Sequence, residues 1–460
     1  MVRLLRSDKN DLDVLLGNPK KAILSMFLPF FIAFAVVEIN QFVDTYWVSG
    51  LGNISAEAVS TVVPIYGLIM CIGVGIGVGA TTTVSFALGQ GRAEDASRLA
   101  VNSWLLGLIL GVIASVLVFL GYDLIIDLMG ADNVREEGWK YIMPYALLAP
   151  GLLVYSIVGG TLRGEGAARR STIVQISAAL INIFLDPILI YGLGMGVMGA
   201  GLATALSSLA AAVIGLSWYA RGKTTLRITR KMLRFDRRST ADVLGVGGPK
   251  TVQTMISNTT DIIQRVFLII AGGTPAAMFY NYTWRYIGFV TLPTKALDSA
   301  MIPVCSASYG QNDLEKMRAG YMYVMKLVVL ISIAGAIILF VFAEPFLSIM
   351  TQDESMKGYL ESLMWTLRVG VFLIPFSALM GIESSMLQAM KKAKIPMYFY
   401  MLWAFGKLGL YALAAYGLMG IDPYEGIIYS MVLIHVLGGL GLLFLERREF
   451  KRLKERVAAS

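Results

Sequence analysis

Histidine is almost absent from this chain, and its scarcity excludes a good deal. A single imidazole, His435, cannot build a metal centre or a catalytic dyad, and it reads as a packed residue of the last apolar stretch. Cysteine is nearly as scarce. Cys71 and Cys305 both fall inside apolar stretches, so they read as small packing residues rather than a disulfide or a thiolate site. Charge is thin: 15% of 460 residues are charged, where a soluble domain carries about 25%. No nucleotide loop is found. Gly247-Gly248-Pro249-Lys250-Thr251 fails the G-x-x-x-x-G-K-[ST] spacing, and the glycines of Gly73-Val74-Gly75-Ile76-Gly77-Val78-Gly79 lack the preceding strand of a dinucleotide fingerprint. No cofactor is expected, and nothing points to ATP as an energy source. The start, Met1-Val2-Arg3-Leu4, has no small-residue cleavage site after it, and residues 1–20 read as a short amphipathic lead-in.

Apolar residues make up 56% of the chain and fall into twelve stretches. They run near 21–49, 57–86, 98–121, 139–160, 171–192, 199–220, 246–271, 276–306, 318–343, 361–388, 396–418 and 424–445. A bilayer core of about 30 Å needs about 20 mostly apolar helical residues, so each is long enough to span. The predicted fold is all-α, a polytopic membrane protein of 12 transmembrane helices. Positive charge is missing from every second loop. Of 39 Lys and Arg, 29 lie in 1–21, 87–98, 161–171, 221–240, 307–318, 388–396 and beyond 445, while the intervening loops hold two, Arg135 and Lys357. Retention of basic loops on the cytoplasmic side then places both termini in the cytoplasm and the chain in the cell membrane. The net charge of +8 is this loop excess. It suits anionic lipid headgroups and gives no reason to expect a nucleic-acid partner.

A weak internal repeat divides the chain. Pro29, Gly52 and Tyr66 match Pro249, Gly272 and Tyr286, and Leu88-Gly89-Gln90-Gly91 matches Tyr309-Gly310-Gln311-Asn312. The expected organisation is an N-terminal lobe over 1–220, a basic linker over 221–245, a C-terminal lobe over 246–445 and a basic tail over 446–460. Six spans per lobe give both the same orientation. Two pseudo-symmetric six-helix bundles about an axis along the membrane normal, with a central cleft, follow.

Ionisable residues in the bilayer are costly, at least about 2.5–3.5 kcal/mol for a mid-membrane Asp, and therefore mark function. Asp44 lies deep in the first stretch. Asn182 and Asp186 lie four apart in the fifth, on one helix face, and Pro187 frees a backbone carbonyl near residue 183. Carboxylate, amide and carbonyl together form an oxygen-rich cluster, suited to Na⁺ or to a proton held on a buried carboxylate. The alternative is that each Asp caps a helix or pairs with a basic residue. Glu38, about 120° round from Asp44, faces another helix or the cleft equally well.

The other half differs at these positions. The repeat sets Gln264 against Asp44, and aligning Leu162 with Leu387 sets Lys407 against Asn182 and Tyr411 against Asp186. Asp261 with Arg265, and Lys295 with Asp298, read as ion pairs within one helix. Arg285, Arg368 and Glu383 complete the C-terminal charges. Pro29, early in the first stretch, removes a helical hydrogen bond and permits a bend, although proline is also simply more common in membrane helices. The glycines between 73 and 79 allow close helix packing. The 24 Met and 21 Phe fill helix interfaces, and any that line the cleft give it an adaptable surface.

Several of these elements occur together in a known order. Pro29 with Asp44, Ala87-Leu88-Gly89-Gln90-Gly91, Leu162-Arg163-Gly164-Glu165-Gly166, Asn182-x-x-x-Asp186-Pro187 and Gly199-Ala200-Gly201-Leu202-Ala203-Thr204 resemble the multidrug and toxic compound extrusion (MATE) transporters over essentially the whole chain. The resemblance is to the archaeal and bacterial branch with a cation site in the N-terminal lobe. It implies a secondary active efflux antiporter, not an enzyme, exchanging H⁺ or Na⁺ for small organic, often cationic, compounds, and acting as a monomer. It implies that Asp44, Asn182, Asp186 and Thr204 hold the coupling cation. Pro29 would be the bend of the first helix, with Gln41, on nearly the same face as Asp44, and Tyr141 in support. Two alternatives remain at this point. A lipid-linked precursor flippase of the same fold would use Arg265, Arg285, Arg368 and Lys407 on a pyrophosphate. A polytopic membrane enzyme is opposed by the lone His and the lack of a sizeable soluble loop.

Overall fold

The computed structural model describes residues 8–349 and 358–459, so Lys357 lies outside the described residues. Among these residues the chain is helical apart from short connections, and no strand occurs. In chain order the helices are α1 (Asp8–Leu16), α2 (Pro19–Ser49), α3 (Asn53–Gly89), α4 (Ala93–Met129), α5 (Arg135–Gly164), α6 (Ala168–Pro187) and α7 (Gly196–Ala220). Then come α8 (Arg237–Gly310), α9 (Leu314–Val341), α10 (Ala343–Ser348), α11 (Leu360–Gly370), α12 (Ile374–Ala389), α13 (Lys394–Ala415) and α14 (Pro423–Ala459). Ten helical segments are long and apolar enough to cross a membrane, with α11 and α12 forming one of them. The 74-residue α8 holds two spans, because Gly272 and Gly273 leave the helical region and turn the chain without a loop. The 22-residue α13, made more polar by Lys407 and its tyrosines, supplies the twelfth.

Helix ends follow local chemistry. The Asn18 side chain accepts from the Lys20 and Lys21 amides at 3.0 and 3.4 Å, and Pro19 occupies the first turn, where its missing N–H is not needed. Gly130 ends α4 in the left-handed region at φ +63°. Asp236 caps α8 by accepting from the Ser239 and Arg238 amides at 2.9 and 3.4 Å. Its hydrogen bonds from Ser239 hold its carboxyl below the usual carboxylate range.

The chain divides into two compact units. One comprises residues up to Met255 together with Ile302–Met317, the other Ile256–Met301 and residues from Arg318 onward. In the first, α3 and α5 pack at backbone distance. Thr81 donates to the carbonyls of Gly77 and Gly160 at 2.9 and 2.8 Å, and Ser85 to that of Gly164 at 2.8 Å. A Cβ on Gly160 would strike the Gly77 backbone, so the glycine run serves helix packing as expected. The repeat motifs also meet inside this unit. A Cβ on Gly89 would strike the Ala307 carbonyl, and a Cβ on Gly310 the Phe86 carbonyl, while the Phe86 and Tyr309 rings lie 5.1 Å apart. Residues 86 and 307 are related by the same offset as 89 and 310, so the contact is reciprocal. Cys71 and Cys305 are buried and form no disulfide. In the second unit, α12 and α13 pack on α14, and α11 packs on it less extensively.

Candidate cation site

Within the first unit, α2, α6 and α7 pack against one another, and α5 packs on α7. Their polar residues converge. Asn182 is 2% exposed and Asp186 fully buried, so each needs a partner inside the protein. The Asn182 amide nitrogen donates to Asp186 Oδ1 at 2.9 Å and to Thr204 Oγ1 at 3.3 Å. Thr204 in turn donates to the Ala200 carbonyl one turn earlier, at 3.3 Å. The Asn182 carbonyl oxygen accepts from Asn40 Nδ2 at 2.9 Å, which ties α2 to α6. Asp44, one turn beyond Asn40, brings its carboxyl within hydrogen-bonding reach of Asp186. Neither Asp44 nor Asp186 has an ion-pair partner among the described residues.

Two carboxyl groups in contact cannot both carry charge without a proton or a cation beside them. Three oxygens at this point, Asn40 Oδ1, Asp44 Oδ1 and Asp186 Oδ2, are buried with no hydrogen-bond partner. An all-oxygen set of this kind fits a hard cation such as Na⁺, and the carboxyl pair equally fits a shared proton. The described residues hold no group of three His, Cys, Asp or Glu side chains placed for a metal. Three tyrosines lie around the carboxyl pair. Tyr141, Tyr145 and Tyr66 lie within electrostatic reach of Asp44. Tyr145 donates to the Tyr141 hydroxyl at 3.2 Å, and its ring lies tilted at 45° with its centre 4.4 Å from that of Tyr66.

The four predicted cation-site residues, Asp44, Asn182, Asp186 and Thr204, thus come together, with Tyr141 beside them. Gln41 does not join them. It is exposed, and it is engaged through its carbonyl, which accepts from Thr45 at 2.8 Å. Pro29 lies inside α2, which continues through it as one helix. After Pro187 the chain passes into a turn of π-helix over Ile188–Gly192, in which the Leu193 amide donates to the Ile188 carbonyl at 2.8 Å. Sequence reasoning missed Asn40, Tyr145 and Tyr66. A signal for Asn40 existed: Asn40-x-x-x-Asp44 repeats the spacing of Asn182-x-x-x-Asp186.

The C-terminal charges depart from expectation. Asp261 pairs with Lys407 at 2.9 Å rather than with Arg265, because the ammonium is buried at 3% exposure and needs a counter-ion more than an exposed guanidinium does. Arg368 lies over the Phe340 ring, and Arg265 and Arg285 are exposed. Glu383 accepts from the Tyr321 hydroxyl at 2.8 Å. His435 is a packed residue, 2.7 Å from the Met431 carbonyl and edge-on to Trp403.

Twelve spans in two bundles, with unpaired carboxylates buried in one of them, define a multi-pass membrane transporter. The chain belongs to the MatE family, whose pattern matches residues 29–188 and 251–406. It is 24% identical to the multidrug export protein MepA of Staphylococcus saprophyticus over 342 residues, 74% of this chain and 75% of that one. MepA of Staphylococcus aureus is 24% identical over 80% of this chain and 81% of its own length. Among solved structures, the outward-facing conformation of a multidrug resistance MATE family transporter of the MOP superfamily superposes with a TM-score of 0.91, at 26% identity, over 98% of this chain and 100% of that one. A MOP superfamily transporter from Pyrococcus furiosus, described by the reversed polarity of its binding pocket and a suggested different function, superposes with a TM-score of 0.89, at 27% identity, over 98% and 100%.

Proposed function

We propose that this protein is a secondary active multidrug efflux antiporter of the cell membrane, exchanging H⁺ or Na⁺ for small organic, often cationic, compounds. The observation that carries the reading is that half-buried Asp44 lies within hydrogen-bonding reach of buried Asp186, with oxygens that have no protein partner and no fixed cation beside them. The multidrug export proteins to which the chain is similar support the cargo class.

In this reading the cation or proton enters from outside and neutralises the carboxyl pair, and Asn182 and Thr204 hold the cluster in place around it. Neutralisation draws α2 toward α6 and α7, with Pro29 as the bend, and the organic compound leaves. Release of the cation to the cytoplasm, the side of both termini, resets the cycle. The ion drives the change only through unequal affinity for the two states, and the membrane potential adds about 2.3 kcal/mol per charge per 100 mV.

The test is efflux of a fluorescent cationic dye under an imposed Na⁺ or pH gradient. Asp44→Asn and Asp186→Asn should each slow ion-driven efflux about tenfold or more, the rate equivalent of roughly 1.4 kcal/mol. Wild-type rates in both variants would remove the site from the mechanism. The gradient that drives efflux names the ion.

A further inference from the structure

The internal repeat pairs Asp44 with Gln264, Asn182 with Lys407 and Asp186 with Tyr411. In the second unit these three repeat partners also gather. The Tyr411 hydroxyl donates to Gln264 Oε1 at 3.3 Å. The Lys407 ammonium lies 5.7 Å from the Tyr411 ring centre and 5.0 Å from that of Trp403, and its hydrogen bond runs to Asp261 Oδ1 at 2.9 Å. Asp261 stands one turn before Gln264 on α8, so its carboxylate sits three residues from the position that corresponds to Asp44. Lys407 is 3% exposed and Asp261 59%.

The two polar centres therefore share a plan and differ in charge. The first holds two carboxyls and no fixed cation. The second holds one carboxylate and an ammonium covalently attached to the chain. An ammonium on aromatic faces with a carboxylate at one end is an internally neutralised site, with little left to attract an ion from solution.

We propose that Lys407 is a tethered cation: in the second unit it permanently fills the polar centre whose counterpart in the first unit takes up the exchanged ion. Exchange is then confined to the first unit, and the number of ions moved per compound is set by Asp44 and Asp186 alone. This rests on the antiporter reading above.

The test counts ions per dye in proteoliposomes from the voltage at which dye flux reverses for a fixed dye gradient. Lys407→Gln frees Asp261 to take a cation, and the count should rise by one. Adding Asp261→Asn to Lys407→Gln should return it to the wild-type value. Lys407→Arg keeps a tethered charge and should leave the count unchanged, which preserves the test if Lys407→Gln does not fold. Three results overturn the proposal: an unchanged count in Lys407→Gln, a changed count in Lys407→Arg, or a lower count in Asp261→Asn with Lys407 intact, since that would mean the second unit already carries an ion. A count insensitive to Asp44→Asn and Asp186→Asn would instead overturn the antiporter reading, so the two failures are distinguishable.

Discussion

Asn40 shows how a single neutral residue shapes a charged site. Its amide donates to the Asn182 carbonyl oxygen and so fixes the direction in which the Asn182 nitrogen faces Asp186 and Thr204. Asn40→Leu leaves that oxygen buried without a donor, a loss of about 1–3 kcal/mol. The half-saturating ion concentration for dye efflux should shift about tenfold in response. An unmoved value would show that the bond has no part in ion binding. The two carboxylates were singled out because an ionisable group in hydrocarbon is too costly to be incidental, Asn182 by its spacing of four from Asp186, and Thr204 only by the resemblance to the MATE transporters. Asn40, Tyr145 and Tyr66 were not, because amides and tyrosines are ordinary in membrane helices and only packing brings them to Asp44. The expected Asp261–Arg265 pair failed for the converse reason. Spacing of four finds neighbours on one helix, but a buried lysine on another helix had the greater need of a carboxylate.

At the scale of the element, proline and glycine act through the bonds they omit. Pro29 leaves the Ser25 carbonyl without its helical donor while α2 remains one helix from Pro19 to Ser49. Pro29→Ala supplies that donor and favours the straight helix, and the penalty it removes is about 3 kcal/mol. Dye binding should be retained and ion-driven efflux should fall severalfold. Full efflux with a stiffened helix would place the moving part elsewhere. Gly273 presents the opposite case. With φ at +68°, it occupies a region that side chains rarely adopt, at the corner where α8 turns between its two spans. Gly273→Ala should lower thermal stability by about 1 kcal/mol, read as a drop in the midpoint of unfolding in detergent. The sequence predicted two stretches ending at 271 and resuming at 276. It was silent on the corner being two residues wide, because hydropathy locates the spans and the dihedral angles of two glycines decide the turn.

The whole molecule is a duplication, and its most direct expression is the contact between the motifs around Gly89 and Gly310. Isolated identities such as these arise by chance in any apolar chain. What separates the pair from chance is that each glycine faces the backbone of the other's neighbour, Ala307 and Phe86, at the same offset. A side chain at either position meets a carbonyl, which cannot swing aside as a flexible side chain does. Gly89→Val and Gly310→Val should therefore open the same contact from opposite sides. Each should lose about 1–3 kcal/mol of stability, as overpacking of a close interface generally does. The double variant is the informative one. Once the first methyls have parted the two backbones, the second substitution enters space already vacated, so the combined loss measured by unfolding should be little greater than either single loss. Fully additive losses would mean that the two glycines sit in independent contacts, and the reciprocity would then be a coincidence of spacing.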